Sequence, residues 1–178
     1  VDVDTRQLDK CAAELATWTN DKPKRYTDYR DMLEEAKPEI VIVATPDHWH
    51  GEATIRAARA KKHVYCEKPI SLTIKEGRAM ADAVKENKIV FQTGSQQRTQ
   101  YGGKFRRTVE MVRSGAIGEL KKIRVCVGNP PVPCDLPTEP IPDGIDWDAW
   151  QGPAPVRGYN KIRCPDDVHN HFPGWGSY

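Results

Sequence analysis

Long hydrophobic runs are missing from this 178-residue sequence: its longest apolar stretch falls far short of a bilayer span, so no helical membrane anchor is expected within it. An excess of one charge is missing too. With 27 Lys+Arg against 25 Asp+Glu the formal net charge is +2, which gives no electrostatic case for a nucleic-acid or membrane-surface partner. Paired cysteines are lacking. Five cysteines stand at 11, 66, 126, 134 and 164, an odd number with no Cys-x-x-Cys, which favours reduced thiols over a disulfide framework. A leading methionine is absent as well. Val1-Asp2-Val3-Asp4 reads as the tail of a strand, and Phe172 to Tyr178 reads as loop. The expectation is therefore an internal segment of a longer chain, with any targeting signal out of view.

What is present is a globular composition, 38% hydrophobic and 29% charged, long enough for one domain or for one plus part of another. Asp4 predicts an N-cap with Gln7 as its reciprocal partner, followed by Leu8, Cys11, Ala12 and Leu15 at helical spacing. Tyr26 ends a short expected strand. Asp28 caps a second helix with Tyr29, Met32, Leu33 and Ala36 inward. The run Glu39-Ile40-Val41-Ile42-Val43-Ala44 is apolar without alternation, as expected of a strand covered on both faces. A helix over 51–61, a short strand over 63–66, a helix opened by a Thr73/Glu76 capping box and a strand over 89–93 follow. Strand, helix, strand, helix, strand with short links is the alternation of a doubly wound parallel sheet.

After Arg98 the character changes. The spacing predicts a helix over 101–113 with Phe105, Val109 and Val112 inward and Gly115 just past its end. Ile123, Val125 and Val127 alternate with polar partners, which predicts a half-exposed antiparallel strand. From Pro130 to Pro155 the chain reads as loop. The expected organisation is a partial dinucleotide-binding α/β domain over 1–98 and the start of a second α/β domain, with a mostly antiparallel sheet, over 99–178.

In an open parallel sheet ligands bind beyond the carboxyl ends of the strands, so the residues there are the candidates. Asp2 follows the first visible strand. It either accepts from adenosine ribose hydroxyls or caps the helix after it. As an acid it repels a 2′-phosphate, which favours NAD, while Arg6 keeps NADP open. The glycine-rich phosphate loop belongs about twenty residues earlier, before Val1. Pro46 has no N–H, so pairing stops at Thr45-Pro46 and the backbone is free to line a ribose. His50 reads as the N-cap of a helix starting at Gly51. The pair His48 and His50 also allows a metal reading, a His-x-His at a strand end, but further ligands would be needed. His63 sits at the opposite end of its strand, and His169 and His171 fall in loop. No metal is expected.

Glu67-Lys68-Pro69 closes the short strand, and Pro69 restricts Lys68. Partial burial beside a cationic nicotinamide would make this ammonium more acidic, so that it could share a hydroxyl proton as hydride leaves the carbon. The alternative is a solvated lysine in a turn. Glu67 would orient Lys68 or bind ribose. Gln96, Gln97 and Arg98 either reach the carboxamide or a polyhydroxy substrate, or are surface residues at a domain link. Trp147 and Trp150 read as packing, with stacking on a sugar face as the alternative.

Taken together, Asp2-Val3-Asp4, Ala44-Thr45-Pro46-Asp47-x-x-His50, Glu67-Lys68-Pro69 and Gly94-Ser95-Gln96-Gln97-Arg98 resemble the glucose–fructose oxidoreductase / inositol dehydrogenase (Gfo/Idh/MocA) family. The resemblance is strongest over 1–128, and Asp146 to Pro155 is similar to a bacterial subgroup. It implies a Rossmann domain followed by an α/β domain whose open sheet often forms an oligomer interface. It also implies NAD(P)-dependent redox chemistry on sugars, cyclitols or their derivatives. Lys68 matches the catalytic lysine, and Asp2, Thr45, Pro46, His50 and Glu67 match cofactor-contacting positions. With His48, Lys68 and Gln96 these form the candidate cofactor-binding set. The resemblance further implies a later helix carrying Asp-x-x-x-His, expected beyond Tyr178, and His169 and His171 are not assigned that role. The expected parent is a homo-oligomeric dehydrogenase, placed in the cytoplasm with export left open. The competing readings are a non-catalytic nucleotide- or sugar-binding relative and, behind it, a metal hydrolase.

Overall fold

The computed structural model describes residues 1–126 and 135–164. Asp4 caps α1 (Thr5–Trp18): its carboxylate accepts from the Arg6 backbone N–H at 2.9 Å and holds the Arg6 guanidinium at 2.7 Å. Gln7 does not close the box, because the Asp4 N–H it would need already donates to the Asp2 carboxylate at 2.9 Å. Tyr26 forms no strand. It is buried, and its carbonyl accepts a single bond from the Asp2 N–H at 3.2 Å. Asp28 caps α2 (Tyr29–Glu35) as expected.

Three parallel strands follow in the order β1 (Ile40–Val43), β2 (His63–Glu67), β3 (Phe91–Gly94), with Val43 opposite Cys66 and Cys66 opposite Thr93. Helices α3 (Asp47–Arg59) and α4 (Ile74–Asn87) connect them. Leu33, Val43, Ala57, Ala58, Val64, Cys66, Met80 and Ala83 form one core between the helices and a single face of the sheet.

The opposite face corrects the expectation for β1. Ile40 is 62% and Ile42 71% exposed, and among the described residues no helix covers them. The reason is topological. Right-handed crossovers that step from strand to strand in one direction lay every helix on the same side. Covering the second face requires the strand order to reverse, which strands ordered β1-β2-β3 never do.

Helix α4 begins with the expected capping box. Thr73 Oγ1 accepts from the Glu76 N–H at 3.1 Å, and the Glu76 carboxylate accepts from the Thr73 N–H at 3.1 Å. Thr73→Ala is expected to lower stability by about 1 kcal/mol, read as a shift in the denaturant midpoint.

Beyond β3 the expectations fare less well. Helix α5 (Lys104–Arg113) forms, and Gly115 follows its end at φ +75°. Phe105, Val109 and Val112 are exposed rather than inward. Residues 122–126 form no strand, since a strand needs a partner to close its hydrogen bonds and none lies beside them among the described residues. Val127 lies outside the described residues. The stretch read as loop contains a short helix, α6 (Trp147–Gln151), capped by Asp146 accepting from the Ala149 N–H at 2.9 Å. Cys11, Cys66 and Cys126 are free thiols. Among the described residues no helix is long and apolar enough to cross a membrane.

Candidate functional site

The carboxyl ends of β1, β2 and β3 bring Thr45-Pro46, Glu67-Lys68-Pro69 and Ser95-Gln96 to one edge of the sheet. Gln96 Nε2 donates to both Glu67 carboxylate oxygens, at 2.6 and 2.7 Å, and the Lys68 backbone N–H donates to the same carboxylate at 3.3 Å. Gly94 makes this close approach feasible: a Cβ there would stand 2.8 Å from the Glu67 carboxylate, well inside contact distance. Gly94→Ala is expected to push Glu67 off Gln96 and lower stability by about 1–3 kcal/mol, from overpacking and the lost charge-assisted hydrogen bond. Urea unfolding measures it, and an unchanged midpoint would show that the Glu67–Gln96 pair adds nothing to stability.

Helix α3 starts at Asp47, not at Gly51. Pro46 takes the N-cap position without a side-chain cap, so Asp47, His48, Trp49 and His50 make up the first turn and His50 is no cap. Proline is suited to this entry because it offers no N–H that would go unsatisfied. Once the helix starts there, the two histidines face different partners.

His50 is 1% exposed. Its Nδ1 lies 2.6 Å from the Pro69 carbonyl oxygen and its Nε2 2.8 Å from the Thr45 carbonyl oxygen. Burial pulls such an imidazole down, but hydrogen bonds to Cys66 and to the Pro69 and Thr45 carbonyls outweigh it and push the group up to about 9. His48 is buried too. Its Nε2–H donates to the Trp150 carbonyl at 2.8 Å and its ring meets Trp150 edge-on at 5.2 Å, while burial holds it below the usual histidine value.

Lys68 is exposed at the rim. Asp47, to which the sequence assigned no role, interacts electrostatically with it. Burial raises its carboxyl, while the His50, Lys68 and His48 charges act in the opposite sense. An acid directly after Thr-Pro, at the positive end of a helix, is a signal the sequence did offer. The Asp2 carboxylate accepts from the Asp4 N–H at 2.9 Å. Gln97 and Arg98 are exposed in a 3₁₀ turn beyond β3, where Tyr65, Thr93, Ser95, Gln96 and Arg98 line an open cleft.

The segment around α6 docks against the same helix start. Trp49 Nε1–H reaches the Ala149 and Trp150 carbonyls, each at 3.0 Å. Trp147 stacks on Trp150 at 4.7 Å, and the Asp146 N–H donates to the Val3 carbonyl at 3.0 Å. Trp147 is buried against Tyr159, so packing describes it. Among the described residues no three His, Cys, Asp or Glu side chains converge as a metal would require.

Residues 1–95 match a family described as an oxidoreductase family with an NAD-binding Rossmann fold (GFO_IDH_MocA). The chain is 33% identical over 113 residues to the myo-inositol 2-dehydrogenase of Thermotoga maritima, covering 63% of this chain and 33% of that protein. It is 37% identical over 99 residues to the levoglucosan dehydrogenase of Pseudarthrobacter phenanthrenivorans, covering 55% of this chain and 25% of that one. Among solved structures, a probable dehydrogenase from Thermotoga maritima superposes with a TM-score of 0.57 at 31% identity, over 66% of this chain and 33% of that chain. The chain thus spans about a quarter to a third of the length of these curated relatives.

Proposed function

This chain belongs to the Gfo/Idh/MocA oxidoreductase family, and from that premise we propose that the protein it forms part of is an NAD-dependent dehydrogenase of polyhydroxy compounds, sugars or cyclitols, with Lys68 at its reacting centre. The observation that carries this reading is the convergence of Thr45-Pro46, Glu67-Lys68 and Gln96 at the carboxyl edge of three parallel strands in the domain matched as NAD-binding. The names of the relatives, an inositol dehydrogenase and a levoglucosan dehydrogenase, support the substrate class.

The residues suit a dinucleotide. Gly94 leaves the space that the Glu67 carboxylate fills, and that carboxylate is an acceptor for ribose hydroxyls or for the carboxamide. The Thr45-Pro46 backbone borders the same edge. Bound NAD supplies a hydride acceptor. Lys68, as the neutral amine, would orient the substrate hydroxyl and take up its proton as the C–H electron pair departs, so alcohol becomes carbonyl and the proton leaves later from the resulting ammonium. Glu67, held by Gln96, fixes the Lys68 backbone. Asp2, two residues before the cap of α1, would meet the adenosine ribose, and its negative charge favours NAD over NADP.

The test is direct. The full-length chain is incubated with NAD and a panel of cyclitols and sugars, and NADH formation is followed by absorbance. Oxidation of at least one panel member supports the dehydrogenase. NADH binding without any oxidised product would instead identify a binding relative that has kept the fold and lost the chemistry.

A further inference from the structure

His50 spends both ring nitrogens on main-chain carbonyls. Nδ1 lies 2.6 Å from the Pro69 oxygen and Nε2 lies 2.8 Å from the Thr45 oxygen. A neutral imidazole has a single N–H, so one of these contacts would set lone pair against lone pair; only the cation satisfies both. The ring is 1% exposed, so water cannot take the place of either acceptor. The two carbonyls belong to different loops. One ends β1 and carries Thr45-Pro46; the other follows β2 and carries Glu67-Lys68-Pro69. Neither nitrogen is left over for a cofactor.

We propose that His50 is a positioning residue: its imidazolium, donating from both nitrogens, ties the Lys68 loop to the Thr45-Pro46 loop and sets the spacing of the cofactor edge. The inference rests on the dehydrogenase reading for what that spacing serves, but the bridge itself does not. Among the side chains, Cys66 from β2 does most to hold the charge on the ring. Asp47 and His48 on the same turn, Lys68 from the loop and Glu76, which packs on Gly51 from α4, are the other titratable groups around it. Because the hydrogen bonds push His50 up to about 9, the bridge is complete below that pH and is lost as the pH rises through it.

The experiment uses the full-length chain and reads the ring nitrogens by long-range ¹H–¹⁵N correlation NMR, with and without NADH. The expected result is a ring protonated on both nitrogens at pH 7.5, with shifts that do not move when NADH binds. His50→Leu should weaken NADH binding by about tenfold or more, the cost of a lost charge-assisted hydrogen bond, whereas His50→Gln, which keeps a donor, should retain most of it. NADH affinity of the native chain should fall above about pH 9 relative to His50→Gln, which keeps every neighbouring group but not the titrating ring. A neutral ring at pH 7.5, ring shifts that follow NADH, or full affinity in His50→Leu would each overturn the proposal. The ring protonation is read without cofactor and on the native sequence. It therefore decides on the bridge even where a variant fails to fold, or where the chain binds no NADH and the dehydrogenase reading falls.

Discussion

Lys68→Ala in the full-length protein is expected to cut turnover by about two orders of magnitude or more, the usual scale for a positioned acid/base, while NADH binding stays close to that of the native chain. Geometry separates the two effects. Only the Lys68 backbone is engaged by Glu67, and its ammonium stands exposed at the rim with no hydrogen-bond partner among the described residues. Removing the side chain leaves the Glu67–Gln96 pair and the His50 bridge intact, so the cofactor edge should survive. Lys68→Arg sharpens the test. A guanidinium keeps the positive charge but does not give up its proton in the accessible pH range. If charge alone were needed, arginine would restore turnover; if proton transfer is needed, arginine should be nearly as poor as alanine. Undiminished turnover in Lys68→Ala, measured with NADH bound, would remove Lys68 from the chemistry.

The sequence made the strand ends legible because two kinds of signal coincide there. Apolar runs such as Ile40 to Val43 stop at residues that cannot extend a sheet, Pro46 and Pro69, and the next helix follows within a few residues. The capping box at Thr73 was equally plain, since both partners lie within one turn. What stayed hidden depends on partners distant in the chain. Nothing in the run over 39–44 tells that Ile40 and Ile42 face away from α3 and α4, because that follows from the direction in which strands are added. The first turn of α3 was misplaced because His50 looked like a cap. Its acceptor carbonyls, Thr45 and Pro69, are set by the fold and not by local spacing. The α6 helix was lost in a proline-rich stretch, although Asp146 followed by Trp147 and Trp150 is a cap and a helical apolar pair.

Gly152→Ala is expected to undock that α6 segment from α3, at a cost of about 2–5 kcal/mol from backbone strain and overpacking together. Gly152 sits at φ +47° and ψ −118°, a combination that residues with a Cβ avoid. An added Cβ would also fall within the Trp49 indole, overlapping Cζ2 and Cε2. The indole has little freedom to yield, because its N–H is committed to the Ala149 and Trp150 carbonyls at 3.0 Å and its ring meets Tyr29 edge-on at 6.0 Å. Gly115→Ala is the matched control. It too has a positive φ, +75°, but nothing lies within 4 Å of its would-be Cβ, so it carries the backbone strain alone. The difference between the two variants in urea unfolding of the full-length chain reads the clash with Trp49 together with the extra strain of the Gly152 backbone conformation. Equal destabilisation would mean that the docking contributes nothing measurable. A larger loss in Gly152→Ala, accompanied by loss of near-ultraviolet tryptophan signal, would show that α6 is held on α3 by Trp49. Trp49 lies between His48 and His50 in one helical turn. A segment that grips Trp49 and the His48 ring therefore also steadies the helix start from which His50 reaches the Lys68 loop.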